Sequence, residues 1–165
     1  MTAQRPHLST WRAWGALSLC AALGACSTLK PPTPSAAGQW QGRMALTVDS
    51  QPPERLAAAF QLEGNAQTGT LALFSPLGST LGQAAWTPAG ATLTQGQSVQ
   101  QFESLDELLN HFAAAIPVRA LFDWLQGQPS DAPGWRVDLS QHANGRVSAK
   151  REYPQPTVDL RLIMN

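Results

Sequence analysis

The sequence predicts a mainly β fold of the α+β class: one curved antiparallel sheet with two short apolar helices on its concave face. Three observations predict it. Apolar and polar residues alternate with a period of two over several segments. Turn residues separate these segments at short intervals, since Gly and Pro number 13 each among 165 residues. Apolar residues then take helical spacing over residues 104–127.

The first half of the chain reads as a series of strands joined by turns. In the first strand Trp40, Met44, Leu46 and Val48 share one face, whereas Arg43 lies on the other. The six strands predicted from this pattern cover residues 39–48, 55–63, 70–75, 80–87, 91–94 and 98–102. Short Pro- and Gly-containing turns between them favour antiparallel neighbours.

Two helices follow the sixth strand. Ser104 is a candidate N-cap, and Asp106 and Glu107 fall in the first turn, where acidic side chains suit the helix dipole. Pro117 ends the first helix and opens a second, which Gly127 caps. Because both helices are too apolar for a solvated surface, we expect them to cover the concave face of the sheet.

Three further strands close the chain. They are predicted over residues 135–140, 146–153 and 157–164, with a hairpin turn at Asn144–Gly145 between the first two. The expected order is therefore six strands, two helices and three strands in one sheet.

The N-terminus has the features of a bacterial lipoprotein signal. Arg5 and Arg12 precede a short apolar run over residues 13–24, and the run ends in Leu23-Gly24-Ala25-Cys26, which reads as a lipobox. We therefore expect residues 1–25 to be a signal peptide and Cys26 to be the lipid-attachment site. The alternative is an ordinary cleaved signal that happens to contain Cys26.

The remainder divides into a tether and one domain. Residues 26–38 comprise the lipidated cysteine and a Pro-rich tether, and residues 39–165 form a single domain. Ser27 replaces the Asp that retains bacterial lipoproteins in the inner membrane, so the expected location is the outer membrane, facing the periplasm. Cys20 leaves with the signal and Cys26 takes lipid, so packing must hold the domain without a disulfide.

Composition and motifs argue against several function classes. The processed chain has nine basic and eleven acidic residues, a formal charge of −2, and no basic patch predicts binding to nucleic acid or to an anionic phosphate surface. No metal-ligand cluster or nucleophile motif is present, and Asp106, Glu107 and His111 fit a solvated helix surface. We expect no enzyme activity, no metal and no cofactor.

The apolar faces have two interpretations. They can form a filled core, or they can line a pocket for acyl chains, because core and pocket use the same residue types. Leu77 stands apart, since it lies between Pro76 and Gly78 at the tip of a turn. A single exposed leucine is often incidental, but inserted into a bilayer it could contribute about 1.5–3 kcal/mol.

Several segments resemble a known family. They are Gly42-Arg43 on the first strand, LALFSPLGST over residues 71–80, IPVRALFDWLQG over residues 116–127, and the lipobox. In this order and spacing the chain resembles the LolB family of outer-membrane lipoprotein receptors.

The resemblance implies a fold and a function. The fold would be an unclosed β-barrel with a short lid of two to three helices over a hydrophobic cavity. The function would be to accept lipoproteins from the periplasmic carrier LolA by their acyl chains and to insert them into the outer membrane. In that family the leucine of the Pro-Leu-Gly turn protrudes and is needed for insertion, which corresponds to Leu77.

These considerations give a set of candidate residues and one alternative function. The candidate lining of the acyl-chain cavity is Trp40, Leu46, Phe60, Leu73, Trp86, Leu109, Phe112, Leu121, Trp124 and Leu160. The expected partners are a LolA-like carrier, the acyl chains of cargo lipoproteins and the inner leaflet of the outer membrane, and the protein is expected to be a monomer. The alternative is a lipid-anchored structural or assembly lipoprotein with a filled core, which binds a protein partner through its sheet edge.

Overall fold

A computed structural model describes residues 38–112 and 114–165 of the chain. The predicted signal peptide, Cys26 and the tether up to residue 37 lie outside the described residues. The first strand begins at Gly38, the last residue of the predicted tether.

Nine antiparallel strands form one sheet. They are β1 (Gly38–Val48), β2 (Glu54–Gly64), β3 (Gly69–Phe74), β4 (Thr80–Thr87), β5 (Gly90–Gln95), β6 (Ser98–Phe102), β7 (Trp135–Asp138), β8 (Arg146–Arg151) and β9 (Val158–Met164). Their spatial order is β6-β5-β4-β3-β2-β1-β9-β8-β7. Within the described part of the chain the two outermost strands, β6 and β7, do not pair with each other, so the sheet curves around its core without closing. The predicted fold class is confirmed.

The predicted order of six strands, two helices and three strands is also confirmed, with one local difference. β7 ends at Asp138, and the predicted two-residue hairpin is instead a turn of 3₁₀-helix over His142–Asn144, after which Gly145 has φ 71°. The chain leaves the sheet early because an Asp138 carboxylate oxygen accepts a hydrogen bond from the Ser140 amide at 2.9 Å.

Both helices begin where the sequence predicted, but the first ends at Asn110, well before Pro117, which was predicted to end it. Helix α1 spans Leu105–Asn110, and the Ser104 hydroxyl oxygen accepts a hydrogen bond from the Glu107 amide at 3.1 Å. Helix α2 spans Val118–Leu125. Gly127 follows it with φ 76°, and a Cβ there would lie 2.8 Å from the His142 ring. In the described ranges no helix is both long and apolar enough to cross a bilayer.

Helix α2 is the centre of the core. Its Phe122 ring contacts Trp40 edge-on, with centroids 5.4 Å apart, and lies 6.3 Å from Trp86. Two residues further along α2, Trp124 packs against Trp135 of β7 with ring centroids 6.1 Å apart. Side chains of β1, β4 and β7 thus contact α2. The helix therefore lies against the concave face, as predicted.

Candidate functional site

An apolar cavity of about 260 Å³ lies between the concave face and the helices. Strands β1 to β5 supply one wall, and α1, α2 and the linker between them supply the other. Its large apolar lining residues are Met44, Leu46, Leu56, Leu62, Leu71, Leu73, Leu81, Trp86, Leu93, Leu105, Leu108, Leu109, Phe112, Ile116, Val118 and Leu121. With so few polar groups in its wall, the cavity suits hydrocarbon and offers little to a polar ligand.

Two of the large apolar lining residues are exposed, which indicates that the cavity opens to the surface beside them. Phe112, just after α1, and Leu81, at the start of β4, are each 39% exposed. Leu81 lines the cavity beside Gly82 because the register between β3 and β4 shifts by one residue after Leu73. Such a bulge can re-aim a side chain that regular alternation would turn outward.

Six of the ten candidate lining residues lie around this cavity. They are Leu46, Leu73, Trp86, Leu109, Phe112 and Leu121. The Trp86 indole is held in place because its Nε1 donates a hydrogen bond to the Asn65 carbonyl oxygen at 3.0 Å.

The other four candidates lie elsewhere in the core. Trp124 is fully buried on α2, where its Nε1 donates to the Ser130 carbonyl oxygen at 3.0 Å. Phe60 and Leu160 are likewise buried, and Trp40 packs on Phe122. All four belong to the predicted apolar faces, but α2 covers this part of the sheet, so they do not reach the cavity.

Several lining residues were not among the candidates, although the alternation of apolar and polar residues pointed to them. Met44, Leu56 and Leu62 share the alternating faces from which Leu46 and Phe60 were chosen. Period-two alternation identifies the inward face of a strand, but it cannot tell which part of that face a helix will cover.

Leu77 projects from the turn between β3 and β4 and is 95% exposed. The turn is well defined: the Ser75 amide donates to the Ser79 carbonyl oxygen at 2.8 Å, and the Gly78 amide donates to the Ser75 carbonyl oxygen at 2.9 Å. Gly78 adopts φ 85°, a conformation that favours glycine. The turn thus presents one large apolar side chain to the surroundings.

Arg151 is a buried charged residue near the cavity that was not among the candidates either. It lies on the inward face of β8 and is buried, and it donates hydrogen bonds to the carbonyl oxygens of Ala114 at 2.9 Å and Pro156 at 3.1 Å. Its guanidinium carbon also lies 5.8 Å from the centre of the Trp135 ring. Burial lowers the pKa of Arg151. Because Ala114 is part of the linker that lines the cavity, Arg151 ties this wall to the sheet.

Fold and site together define a class: a half-barrel of antiparallel strands with an apolar cavity under two helices. The family described as "Outer membrane lipoprotein LolB" matches residues 38–160. The chain belongs to this family, as the resemblance in its segments indicated. The predicted location, anchored by lipid at the outer membrane, is confirmed by that membership.

Individual relatives carry the same description. An outer-membrane lipoprotein LolB of Bordetella petrii is 34% identical over 82% of this chain and 71% of its own length. The protein of that name from Cupriavidus pinatubonensis is 31% identical over 76% of this chain and 64% of its own length. That of Thiobacillus denitrificans is 25% identical, but the match covers 88% of this chain and 91% of the relative. The chain thus spans slightly under two thirds of the Cupriavidus relative.

Proposed function

We propose that this protein is a monomeric receptor that accepts lipoproteins from a LolA-like periplasmic carrier and inserts them into the outer membrane. The single observation that carries the proposal is the cavity, whose wall is apolar and which opens at Phe112 and Leu81. An acyl chain is the part of a lipoprotein that such a wall would bind.

The energy for this transfer can come from burial alone. Each methylene removed from water contributes about 0.8 kcal/mol, so a few additional buried methylenes outweigh a competing site. A difference of about 1.4 kcal/mol shifts the distribution of cargo tenfold. Cargo would then pass from carrier to receptor to bilayer in the order of increasing affinity, without a chemical step.

The size of the cavity sets how much of the cargo it holds. Its volume of about 260 Å³ lies slightly below the roughly 300–1,000 Å³ typical of ligand pockets. The cavity therefore accommodates part of an acyl chain, and the remainder would extend through the opening beside Phe112 and Leu81. Partial enclosure favours release, since a bilayer buries the whole chain.

Leu77 has a separate role in this proposal. Leu77 lies in the turn between β3 and β4 and is not part of the cavity wall, so it would act in delivery and not in binding. Insertion of this exposed side chain into the bilayer would bring the loaded receptor to the surface that takes the cargo.

The alternative function, a structural or assembly lipoprotein, requires a filled core. A cavity of about 260 Å³ in the middle of the apolar face favours the receptor instead. The unpaired edges β6 and β7 remain available to a partner in either case.

Transfer of cargo tests the proposal directly. A lipoprotein loaded on purified LolA is mixed with this protein, and the two are separated by an affinity tag on the receptor. We expect cargo to move to the receptor and, once liposomes are added, into the lipid. Cargo that stays on the carrier at equimolar receptor would contradict the proposal.

A further inference from the structure

The outward face of the sheet brings together arginines that are far apart in the sequence. In one row across three strands, Arg43 of β1 pairs with Ile163 of β9, which in turn pairs with Arg146 of β8. One row further along, Arg161 of β9 pairs with Ala45 of β1. Neighbouring strands lie about 4.8 Å apart, so these three guanidinium groups surround Ile163 within roughly 10 Å.

A fourth arginine extends the group. Arg55 of β2 pairs with Thr47 of β1, on the same outward face. We define the outer arginine face as Arg43, Arg55, Arg146 and Arg161 together with Ile163, all of which are exposed. Ala57 of β2 and Ser148 of β8, also exposed on this face, are too small to cover the guanidinium groups.

This face is basic although the domain is acidic. All eleven acidic residues of the chain, but only eight of its eleven basic ones, fall within residues 38–165. At the outward positions of β1, β2, β8 and β9, by contrast, basic residues outnumber acidic ones. The basic residues there are Arg43, Arg55, Arg146, Lys150 and Arg161, and the acidic ones are Glu63 and Asp159. From the sequence alone we predicted no basic patch, and this was wrong because only the strand register assembles one.

The described residues place no carboxylate in an ion pair with the outer arginine face. Among the described residues, ion pairs within 4.0 Å join Glu152 to Arg136 and to Lys150, and neither involves the outer arginine face. Ile163, at its centre, is a large apolar side chain that is 47% exposed. Within the described ranges these four guanidinium groups have no ion-pair partner, and they surround an exposed isoleucine. Such a surface suits a partner that presents phosphate groups next to hydrocarbon.

We propose that the outer arginine face docks on the anionic phospholipid headgroups of the membrane in which the protein is anchored. Guanidinium groups bind phosphate in a bidentate manner, and each basic residue near an anionic bilayer contributes about 1 kcal/mol, or about fivefold in affinity. Ile163 would reach the interface between headgroups and acyl chains.

The point at which the tether joins the sheet and the location of the Leu77 turn support this orientation. The twelve residues from Cys26 to Gly38 reach at most roughly 40 Å, which is close to the length of β1, about 36 Å. The tether joins β1 at Gly38, whereas β3 ends at Phe74, which is in register with Ala59 and Arg43, so the Leu77 turn lies beyond the middle of β1 on the side of Val48. A domain that lies with β1 along the bilayer brings both ends, and Arg43 between them, to the membrane.

Binding to vesicles tests this proposal without carrier or cargo, so its outcome is independent of the proposed function. Residues 33–165 form one compact unit that contains all nine strands and both helices, and this segment lacks the lipid anchor. Flotation compares vesicles of phosphatidylcholine with vesicles that also contain about 30% phosphatidylglycerol. We expect binding to the anionic vesicles only, and its loss as salt is raised from about 0.01 to 1 M.

Two charge-matched variants locate the surface. Arg161→Glu on the outer arginine face should weaken binding to anionic vesicles at least tenfold. Arg119→Glu on α2, which changes another exposed arginine outside this face, should change binding less than twofold. Arg43→Glu is the second variant on the face, in case Arg161→Glu fails to fold by circular dichroism.

Three results would overturn the proposal. The first is equal binding to neutral and anionic vesicles, and the second is equal loss in Arg119→Glu and Arg161→Glu. The third is intact vesicle binding by Arg161→Glu with impaired capture of cargo from a carrier, since that would assign the face to an acidic protein partner instead.

Discussion

The Arg151 guanidinium lies 2.9 Å from the carbonyl oxygen of Ala114, so a charged side chain of β8 holds the linker between the two helices. Ala115, the next residue, has φ 38°, a left-handed conformation that is unfavourable for alanine. The linker lines the cavity at Ala114, Ala115 and Ile116. The hydrogen bond therefore helps to hold a strained segment in the position that gives the cavity its wall.

Replacing Arg151 should loosen this wall as well as destabilise the fold. Arg151→Met leaves the Ala114 and Pro156 carbonyl oxygens without their charged donor, so we expect the free energy of unfolding to fall by about 2–4 kcal/mol in urea titrations. Native-state hydrogen exchange should accelerate at the Ala115 amide more than at the Leu162 amide of β9. Equal acceleration at both amides would show that Arg151 acts on global stability alone. Arg151→Lys, which keeps the positive charge, should lower the free energy of unfolding by less than Arg151→Met does.

Filling the cavity should remove lipid binding without unfolding the protein. Gly82 is buried in the cavity wall, and a Cβ there meets its nearest atom, Gln95 Cγ, only at 3.4 Å. A leucine at this position would occupy space needed by an acyl chain. We expect Gly82→Leu to weaken binding of a fluorescent fatty acid at least tenfold in equilibrium titrations, while Gly82→Ala, which adds one methyl group, changes it little. A Gly82→Leu protein that is folded and binds with unchanged affinity would exclude this cavity as the acyl-chain site.

Leu77 should matter for delivery and not for acceptance. A charged side chain at the tip of the turn cannot enter hydrocarbon, so Leu77→Glu should accept cargo from the carrier normally but deliver it to liposomes at least tenfold more slowly. Val99→Glu is the matched control, because Val99 is another exposed apolar side chain, on edge strand β6. Delivery at the normal rate by Leu77→Glu would reduce Leu77 to an ordinary turn residue.

Local patterns predicted much of this structure. Alternation in segments such as 39–48 and 80–87 identified the strands, and Ser104 with its acidic neighbours located the start of α1. These features are encoded within a few residues of each other. The 3₁₀ turn at His142–Asn144 was missed because the Asn144–Gly145 pair strongly favours a two-residue hairpin. The sequence shows no sign of a hydrogen bond that would compete with this turn.

Features that depend on distant partners were not predictable in the same way. Trp124 and Leu160 have the periodicity of lining residues, but the packing of α2 places them in the solid part of the core. In the sequence Arg151 looks like one more charged residue on a strand. It is buried because it lies on the face of β8 that is turned inward. The outer arginine face needs the register of β1 with β9 and β8, and Arg43 of β1 lies more than 100 positions before Arg146 and Arg161 in the sequence.

The central claim is that acyl chains occupy the cavity beside Trp86, and quenching of tryptophan fluorescence by a brominated fatty acid measures this directly. Trp86 lines the cavity and Trp124 does not, although each indole donates one hydrogen bond to a carbonyl oxygen. Trp86→Phe and Trp124→Phe are therefore matched variants. The account predicts that the brominated acid quenches the parent protein, that Trp86→Phe loses most of this quenching and that Trp124→Phe keeps it. No quenching in the parent protein, or equal loss in the two variants, would contradict it.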